Sequence, residues 1–292
     1  MGMDLSAATS FVVNHGRILE RRRLAHRSGR TSPESVLAAL DAYRNPDGGY
    51  GWALEPDLRS ATSQPVAAMH ALEVLADIRD TTGPQAPHLC DWLAKHTLAD
   101  GGMPFSLPFS DTTGSAAHWI GADATVSSLQ MTTQLAAHAH RLARHRTDVA
   151  RHPWLAAATE YCLDTIERTT EAPQAYELMF AMRFLDAVAP STPRARPLLD
   201  RFVSFVRVDG PTPVAGGADG EVLHPLDFTP EPDAPSRALF SPDAVAADLE
   251  RLAGQQQEDG GWPITFAPVS PAAVLEWRGY ATVQAIAVLC RR

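Results

Sequence analysis

Apolar residues recur at helical spacing along most of this chain, and two kinds of helix alternate. One kind carries a charged face. It includes Ser32-Pro33-Glu34 opening into residues 36–40, the segments 87–97, 153–168 and 193–206, and Ser241-Pro242-Asp243 opening a helix that runs through Leu252. Serine or proline at these starts supplies a capping oxygen or a preset φ for the first turn. The other kind, at 63–75, 131–142, 176–188 and 282–290, is apolar nearly all round. A one-sided stripe predicts a helix lying on a surface, and an all-round apolar helix predicts one enclosed by others. A further helix is expected over 7–25, and β-rich runs are missing, so the fold class is all-α. Two stretches, 102–127 and 209–241, are rich in Pro, Gly, Ser and Asp and are expected to be long loops covering one end of the helical body.

A short motif punctuates this alternation. It reads Asp47-Gly48-Gly49-Tyr50, then Asp100-Gly101-Gly102-Met103, then Asp259-Gly260-Gly261-Trp262. The first two copies are 53 residues apart and the third lies three such intervals further on, with a worn Val208-Asp209-Gly210 near the vacant position. A fixed period of this kind signals stacked units, each burying its face against the next. Glycine permits the positive φ that ends a helix, the large side chain packs into the neighbouring unit, and the aspartate satisfies free backbone groups. Asp47, Asp100 and Asp259 are therefore read as structural.

Gln256, Gly260 and Trp262 match the Gln-x-x-x-Gly-x-Trp repeat of squalene–hopene and oxidosqualene cyclases. The Asp-Gly-Gly core also resembles the repeat of protein prenyltransferase β subunits, with Tyr50 and Met103 where tryptophan would stand in the other copies. The resemblance implies an α/α toroid (barrel) of five to six helix pairs forming one domain over 1–292, with the N-terminal helix as an inner or closing element. It also implies a central cavity for an apolar substrate, with isoprenoids as first candidates, and acid–base cyclisation or isomerisation as the reaction.

The chemistry of that family is only partly matched. Class II cyclases protonate their substrate with the central acid of Asp-x-Asp-Asp-Thr. One alignment sets Gly121-Ala122-Asp123-Ala124-Thr125 on it and keeps Asp123 as the acid. Another sets Ser128-Leu129-Gln130-Met131-Thr132 there and leaves no acid, and helix phase favours this second alignment. Asp123 thus stands as a catalytic candidate against a plain loop or cap aspartate. No aspartate-rich metal–diphosphate motif occurs, and His88, Cys90 and Asp91 lack the order of a prenyltransferase zinc site, so neither metal nor cofactor is expected.

In such a toroid, the polar residues ahead of the enclosed helices would rim the cavity. The first group is Trp52 to Ser60, the last is Glu276-Trp277-Arg278-Gly279-Tyr280, and Tyr176-Glu177 and His224-Pro225-Leu226-Asp227-Phe228 lie between. From these, Asp57 and Glu276 are the expected proton-transfer groups, with Glu55 as a further acid or base. Arg59 and Arg278 would orient them or hold an anionic head, and Trp52, Tyr176, Asp227 and Trp277 would line the substrate. Helix N-termini stabilise anions, so these carboxylates suit a base better than a resting acid. Two other readings stay open. A salt-bridged rim would make this a non-catalytic ligand-binding or accessory protein, and an open polar groove would suit a carbohydrate-active barrel.

Composition narrows the partners. A formal net charge of -9 argues against nucleic acid, whose binding rests on clustered cations, and 45% hydrophobic residues suffice for a sizeable core. Arg17, Arg21, Arg22, Arg23 and Arg27 form a basic run with His15 and His26, read either as a solvated face paired with Glu20 or as a peripheral contact with an anionic membrane surface or diphosphate. No run reaches the ~18 apolar residues of a membrane span, and no leader opens the chain. Three dispersed cysteines, Cys90, Cys162 and Cys290, point to a reducing compartment and hence the cytoplasm. His70, His138 and His140, on apolar helices, are read as hydrogen-bonded core residues.

Overall fold

The computed structural model describes residues 2–79 and 82–291. The chain is mostly helical, with 56% of it in helix. It opens with α1 (Leu5–His15), α2 (Ile18–Arg27) and α3 (Pro33–Leu40), followed by α4 (Pro65–Asp77) and α5 (Gln85–His96). A short α6 (Ala117–Ile120) precedes α7 (Leu129–Ala143), α8 (Thr147–Ala150), α9 (Pro153–Arg168) and α10 (Ala175–Val188). Next come α11 (Ala195–Phe202), the brief α12 (Pro225–Phe228), α13 (Pro242–Gly254) and α14 (Pro271–Leu289). The strands among the described residues, β1 (Thr212–Pro213) and β2 (Val222–Leu223), form one small antiparallel hairpin.

Three expectations are corrected. The single helix over 7–25 is two, broken at Gly16, which leaves helical geometry with ψ near 153°. A methyl group on Gly279 would stand 3.1 Å from the Cα of Gly16, so the break brings two bare backbones together between α1 and α14. The last helix starts at Pro271, capped by the Ser270 hydroxyl on the N–H of Ala273, and not near 282. Glu276 to Tyr280 therefore lie inside a helix, away from its positive end. Finally, the long stretches 102–127 and 209–241 are not bare loops; they carry α6 in one case and the hairpin and α12 in the other.

Burial follows the two classes of helix. Every residue of α4 from Pro65 to Ala76 is buried, whereas α13 buries Asp248 and little else. The Asp-Gly-Gly turns link the two classes. Gly48 and Gly260 hold φ near +93° and +89°, a region open to glycine at little cost. A Cβ at these positions would meet the carbonyl oxygens of His88 on α5 and Ala7 on α1 at 3.0 and 2.2 Å. The second turn lies in the same way against Ala157 and Tyr161 of α9. The residues following the glycines, Tyr50, Met103 and Trp262, are all buried.

The turn aspartates do structural work in every copy. Asp47 accepts from the N–H of Gly49, the hydroxyl of Ser63 and the indole of Trp92, at 2.8 to 3.0 Å. Asp100 accepts from Gly102 and Ser127, and Asp259 from Gly261 and both terminal nitrogens of Arg278. The third turn also joins the two ends of the chain. The side-chain amide of Gln256 accepts from the N–H of Asp4 at 2.7 Å and donates to its carbonyl at 2.8 Å. Asp4 in turn caps α1 through the N–H groups of Ser6 and Ala7.

Candidate functional site

A cavity of about 2060 Å³ opens among α2, α4, α7, α10 and α14, and both long connecting stretches contribute to its wall. Its densest chemistry lies on α4. His70, Glu73 and Asp77 are spaced three and four apart, so they share one face of a helix that is otherwise apolar.

The approach to this face is set by a strained turn. Trp52 and Ala53 both adopt left-handed backbone, φ 56° and 59°, which costs non-glycine residues of order 1–2 kcal/mol each. Arg17, itself paired with buried Glu20, donates to the carbonyls of Ala53 and Leu54 at 3.0 and 3.1 Å and so holds the turn in place. The turn delivers Glu55 and Asp57 inward, 4% and 6% exposed. Glu55 receives the Nε2 of His70 at 2.9 Å, and the other ring nitrogen, Nδ1, stands 3.7 Å from Glu73.

A histidine between two carboxylates is favoured in its charged form. Burial alone would push the His70 pKa down, but the bonds to Glu55 and Glu73 outweigh it and hold it above the ordinary value. Glu73 is itself buried, which raises a carboxyl pKa, yet Arg23 at 3.4 Å and His70 keep it well below the usual range. Oε1, the oxygen that faces Arg23, also accepts from Tyr280 at 3.2 Å and from Gln284, while Oε2 faces His70. Arg23 also bonds Asp77 at 2.8 Å, and Asp77 accepts Arg141 at 2.8 Å, so alternating charges run from α2 through α4 to α7.

Aromatic side chains flank this polar line. Trp277 and Tyr280 present ring edges or faces to His70 at centroid distances of 6.1 and 5.4 Å, and Phe266 packs edge-on against Trp277 at 5.1 Å. Across the cavity Phe105 stacks on Trp119 at 4.6 Å.

Of the residues singled out by sequence, Glu55, Asp57, Tyr176, Asp227 and Trp277 line this cavity. Asp57 accepts from the indole of Trp277 at 2.7 Å and the N–H of Val269 at 3.1 Å, so it ties the turn to α14 and the segment before it. Tyr176, in the first turn of α10, donates to Glu221 of the hairpin region. Asp227 closes a capping box with the N–H of His224, and burial raises its pKa.

The others lie elsewhere. Trp52 is 55% exposed and donates to Asn45. Arg59 forms a two-toothed pair with Glu276, the closer contact at 2.8 Å, and Arg278 is spent on Asp259, so neither rim arginine reaches the cavity wall. Asp123 is exposed, bonds the backbone and hydroxyl of Thr125, and faces a separate shallow pocket beside His118. Of the acids expected to meet Arg59 and Arg278, Glu276 pairs with Arg59 across the two segments, and Asp57 pairs with neither.

Among the described residues, no group of three or more His, Cys, Asp or Glu side chains is arranged to hold a metal ion, and no helix is long and apolar enough to cross a membrane. Cys90 is buried and its thiol is pushed up to about 12, chiefly by that burial, which makes it a poor nucleophile or ligand. No family model matches the chain, and no curated protein matches it.

Proposed function

We propose that this chain is a single-domain α/α toroid of the terpenoid-cyclase and prenyltransferase type, and that it transfers protons to and from a small, largely apolar substrate in its cavity. The toroid reading is supported by the three turns, each seated on a helix from another part of the chain, the first two on charged-face helices α5 and α9 and the last on α1. The observation that carries the chemical reading is the 2.9 Å bond between Glu55 and His70 at the wall of a large cavity with aromatic sides. In this scheme His70 is the proton carrier and Glu55 its partner, which displaces Asp57 and Glu276 from the roles the sequence suggested. Cyclisation or isomerisation of an isoprenoid-like substrate fits the aromatic flank of Trp277, Tyr280 and Phe266, which would stabilise a developing cation. Free thiols at Cys90, Cys162 and Cys290 suit a reducing, cytoplasmic setting.

The test is mass spectrometry of the purified protein incubated with squalene, its epoxide, prenyl diphosphates and the corresponding prenyl carboxylic acids, with and without Mg²⁺, alongside His70→Gln and Glu55→Gln. Conversion by the parent protein and a loss of about 10²-fold or more in both variants is expected, since general acid–base groups contribute on that scale. Unchanged turnover in both variants sinks the assignment.

One observation favours a second reading. The ionic groups along α2, α4 and α7 are already paired with one another, as in a structural network. In a non-catalytic binding protein, the same cavity would retain a ligand through purification and convert none of the substrates.

A further inference from the structure

Arg183 differs from the other arginines near the centre of the cavity. It projects from α10 into the cavity wall, half-buried, with Cζ 5.6 Å from the Phe180 ring. Its Nε donates to the backbone carbonyl of Asp227 at 2.7 Å, while its two terminal nitrogens make no hydrogen bond and no ion pair among the described residues. Burial without a counter-ion pushes its pKa down, with more distant acids opposing the change. Arg23 and Arg141, by contrast, each have a carboxylate within 2.8 Å. Removing a guanidinium from bulk water without pairing it is costly, so a ligand that supplies the missing anion gains what the protein has left unmade.

His138 on α7 adds a donor of known polarity. Arg141 donates to its Nδ1 at 3.1 Å, and an arginine has only donors, so Nδ1 must be the acceptor. The ring proton is then on Nε2, which has no partner among the described residues. Burial first, then the charges of Arg141 and Arg183, hold the His138 pKa down to about 3, so the ring is neutral and keeps that tautomer at physiological pH. The nearby carboxylates are engaged by other groups. Glu73 is held by Arg23, Asp77 by Arg23 and Arg141, Asp227 by the backbone N–H of His224, and Glu231 by Arg291.

We infer that the cavity contains a subsite for one carboxylate, received by the terminal nitrogens of Arg183 and the Nε2–H of His138, and that the substrate is an amphipathic monocarboxylate. Arg27, Arg79 and Arg144 line the cavity only as exposed side chains, so one unpaired guanidinium stands inside it, which matches a single negative charge in a planar, two-oxygen group. A phosphate monoester carries about -1.5 to -2 at neutral pH and would leave part of its charge uncompensated against a wall that already holds Glu73, Asp77 and Asp227. Met179, Phe180, Leu223 and Val283 supply apolar wall for the chain of such an acid. The inference deepens the proton-transfer reading by naming the class of substrate, and it rests on that reading only for the word substrate. The subsite itself is a binding property.

Trp119 and Trp277 line the cavity, so tryptophan fluorescence reports occupancy. The experiment titrates the protein with dodecanoate, dodecanol and dodecyl phosphate at pH 7.5. Dodecanoate is expected to bind about 10-fold or more tightly than dodecanol, as a charge-assisted pair in a partly dry site should. Arg183→Gln is expected to bind acid and alcohol alike, Arg183→Lys to keep part of the preference, and His70→Gln to keep all of it. Equal binding of acid and alcohol by the parent protein, no binding of either, a preference that survives Arg183→Gln, or tighter binding of dodecyl phosphate than of dodecanoate overturns the subsite. The parent-protein comparison needs no variant to fold. Failure of the proton-transfer reading shows separately, as turnover indifferent to His70→Gln in a protein that still prefers the acid.

Discussion

His70 on α4 and His138 on α7 line the same cavity, and both sit on helices whose neighbouring residues are buried. Burial penalises the charged form of each. His70 is nevertheless driven up, because carboxylates stand at both its ring nitrogens, while His138 stays down, by burial first and then by the charge of Arg141 at one of its nitrogens. One residue type thus provides a proton carrier and a fixed neutral donor within one cavity. The partner set decides between them, and in both cases one partner lies one helical turn along the same helix, Glu73 for His70 and Arg141 for His138, while His70 has Glu55 besides. The contrast makes separate claims about stability, pH response and tautomer.

The largest effect should come from removing the charge His70 shares with Arg23. Glu73→Gln leaves both cations short of a buried partner, and breaking such a set costs about 3–5 kcal/mol. Urea unfolding at pH 7 measures it. A cost below about 1 kcal/mol would mean that Asp77 and Glu55 carry the cluster and that Glu73 is incidental.

The acid limb of the stability curve belongs to His138. Its folded pKa near 3 lies below the unfolded value of about 6.5, so between these limits the unfolded chain binds more protons and stability is lost as pH falls. From pH 6.5 to 5 this amounts to about 2 kcal/mol for the one residue. His140, held down to about 4 by burial, adds to the same limb. In His138→Gln the limb should be shallower by that share, and a curve of unchanged slope would show that the ring is not neutral in the folded protein.

His70 acts in the opposite sense. Its folded pKa is raised, so the stability it contributes is present below about pH 6.5 and is lost as pH rises through the folded value. Glu55→Gln removes the carboxylate at Nε2, and the ring's NMR titration midpoint should fall while that of His138 stays where it was. A midpoint that does not move assigns the upward shift to Glu73 alone.

Much of this architecture is legible in the chain. The 53-residue spacing of Asp47 and Asp100 and the proline-marked starts bring out the turns and the charged-face helices, because turn chemistry and capping are local. The range 153–168 is recovered to the residue. The break at Gly16 is harder to see, since it depends on Gly279 coming close from the far end of the chain. In the site, Glu55, Asp57 and Trp277 can be picked out as polar or aromatic groups near helix starts. The cluster that organises them is announced more quietly, by His70, Glu73 and Asp77 at spacings of three and four in an apolar helix. What makes it a network is Arg23, Arg141 and Tyr280, and their closeness follows from how α2, α7 and α14 pack. The pairing of Arg59 with Glu276, 217 residues away, is of the same long-range kind.

The smallest and most discriminating change is at Arg141. Burial first, then the neighbouring Arg141 guanidinium, and last Arg183 hold His138 down. Arg141→Met keeps most of the side-chain bulk and removes the charge and the donor, and Asp77 retains Arg23 at 2.8 Å, so the cluster on α4 should survive. The His138 midpoint should rise but stay below the ordinary histidine value, because burial remains. With nothing donating to Nδ1, the proton is no longer confined to Nε2, and ¹⁵N shifts of the ring should show both tautomers. Since the carboxylate subsite needs a donor at Nε2, the affinity for dodecanoate should fall by a few-fold while dodecanol is unaffected, a modest step because Arg183 still supplies the charge. A ring that keeps a single tautomer without Arg141 would mean that some other group fixes its polarity, and the difference between the two histidines would then lie outside the partners one turn along their helices.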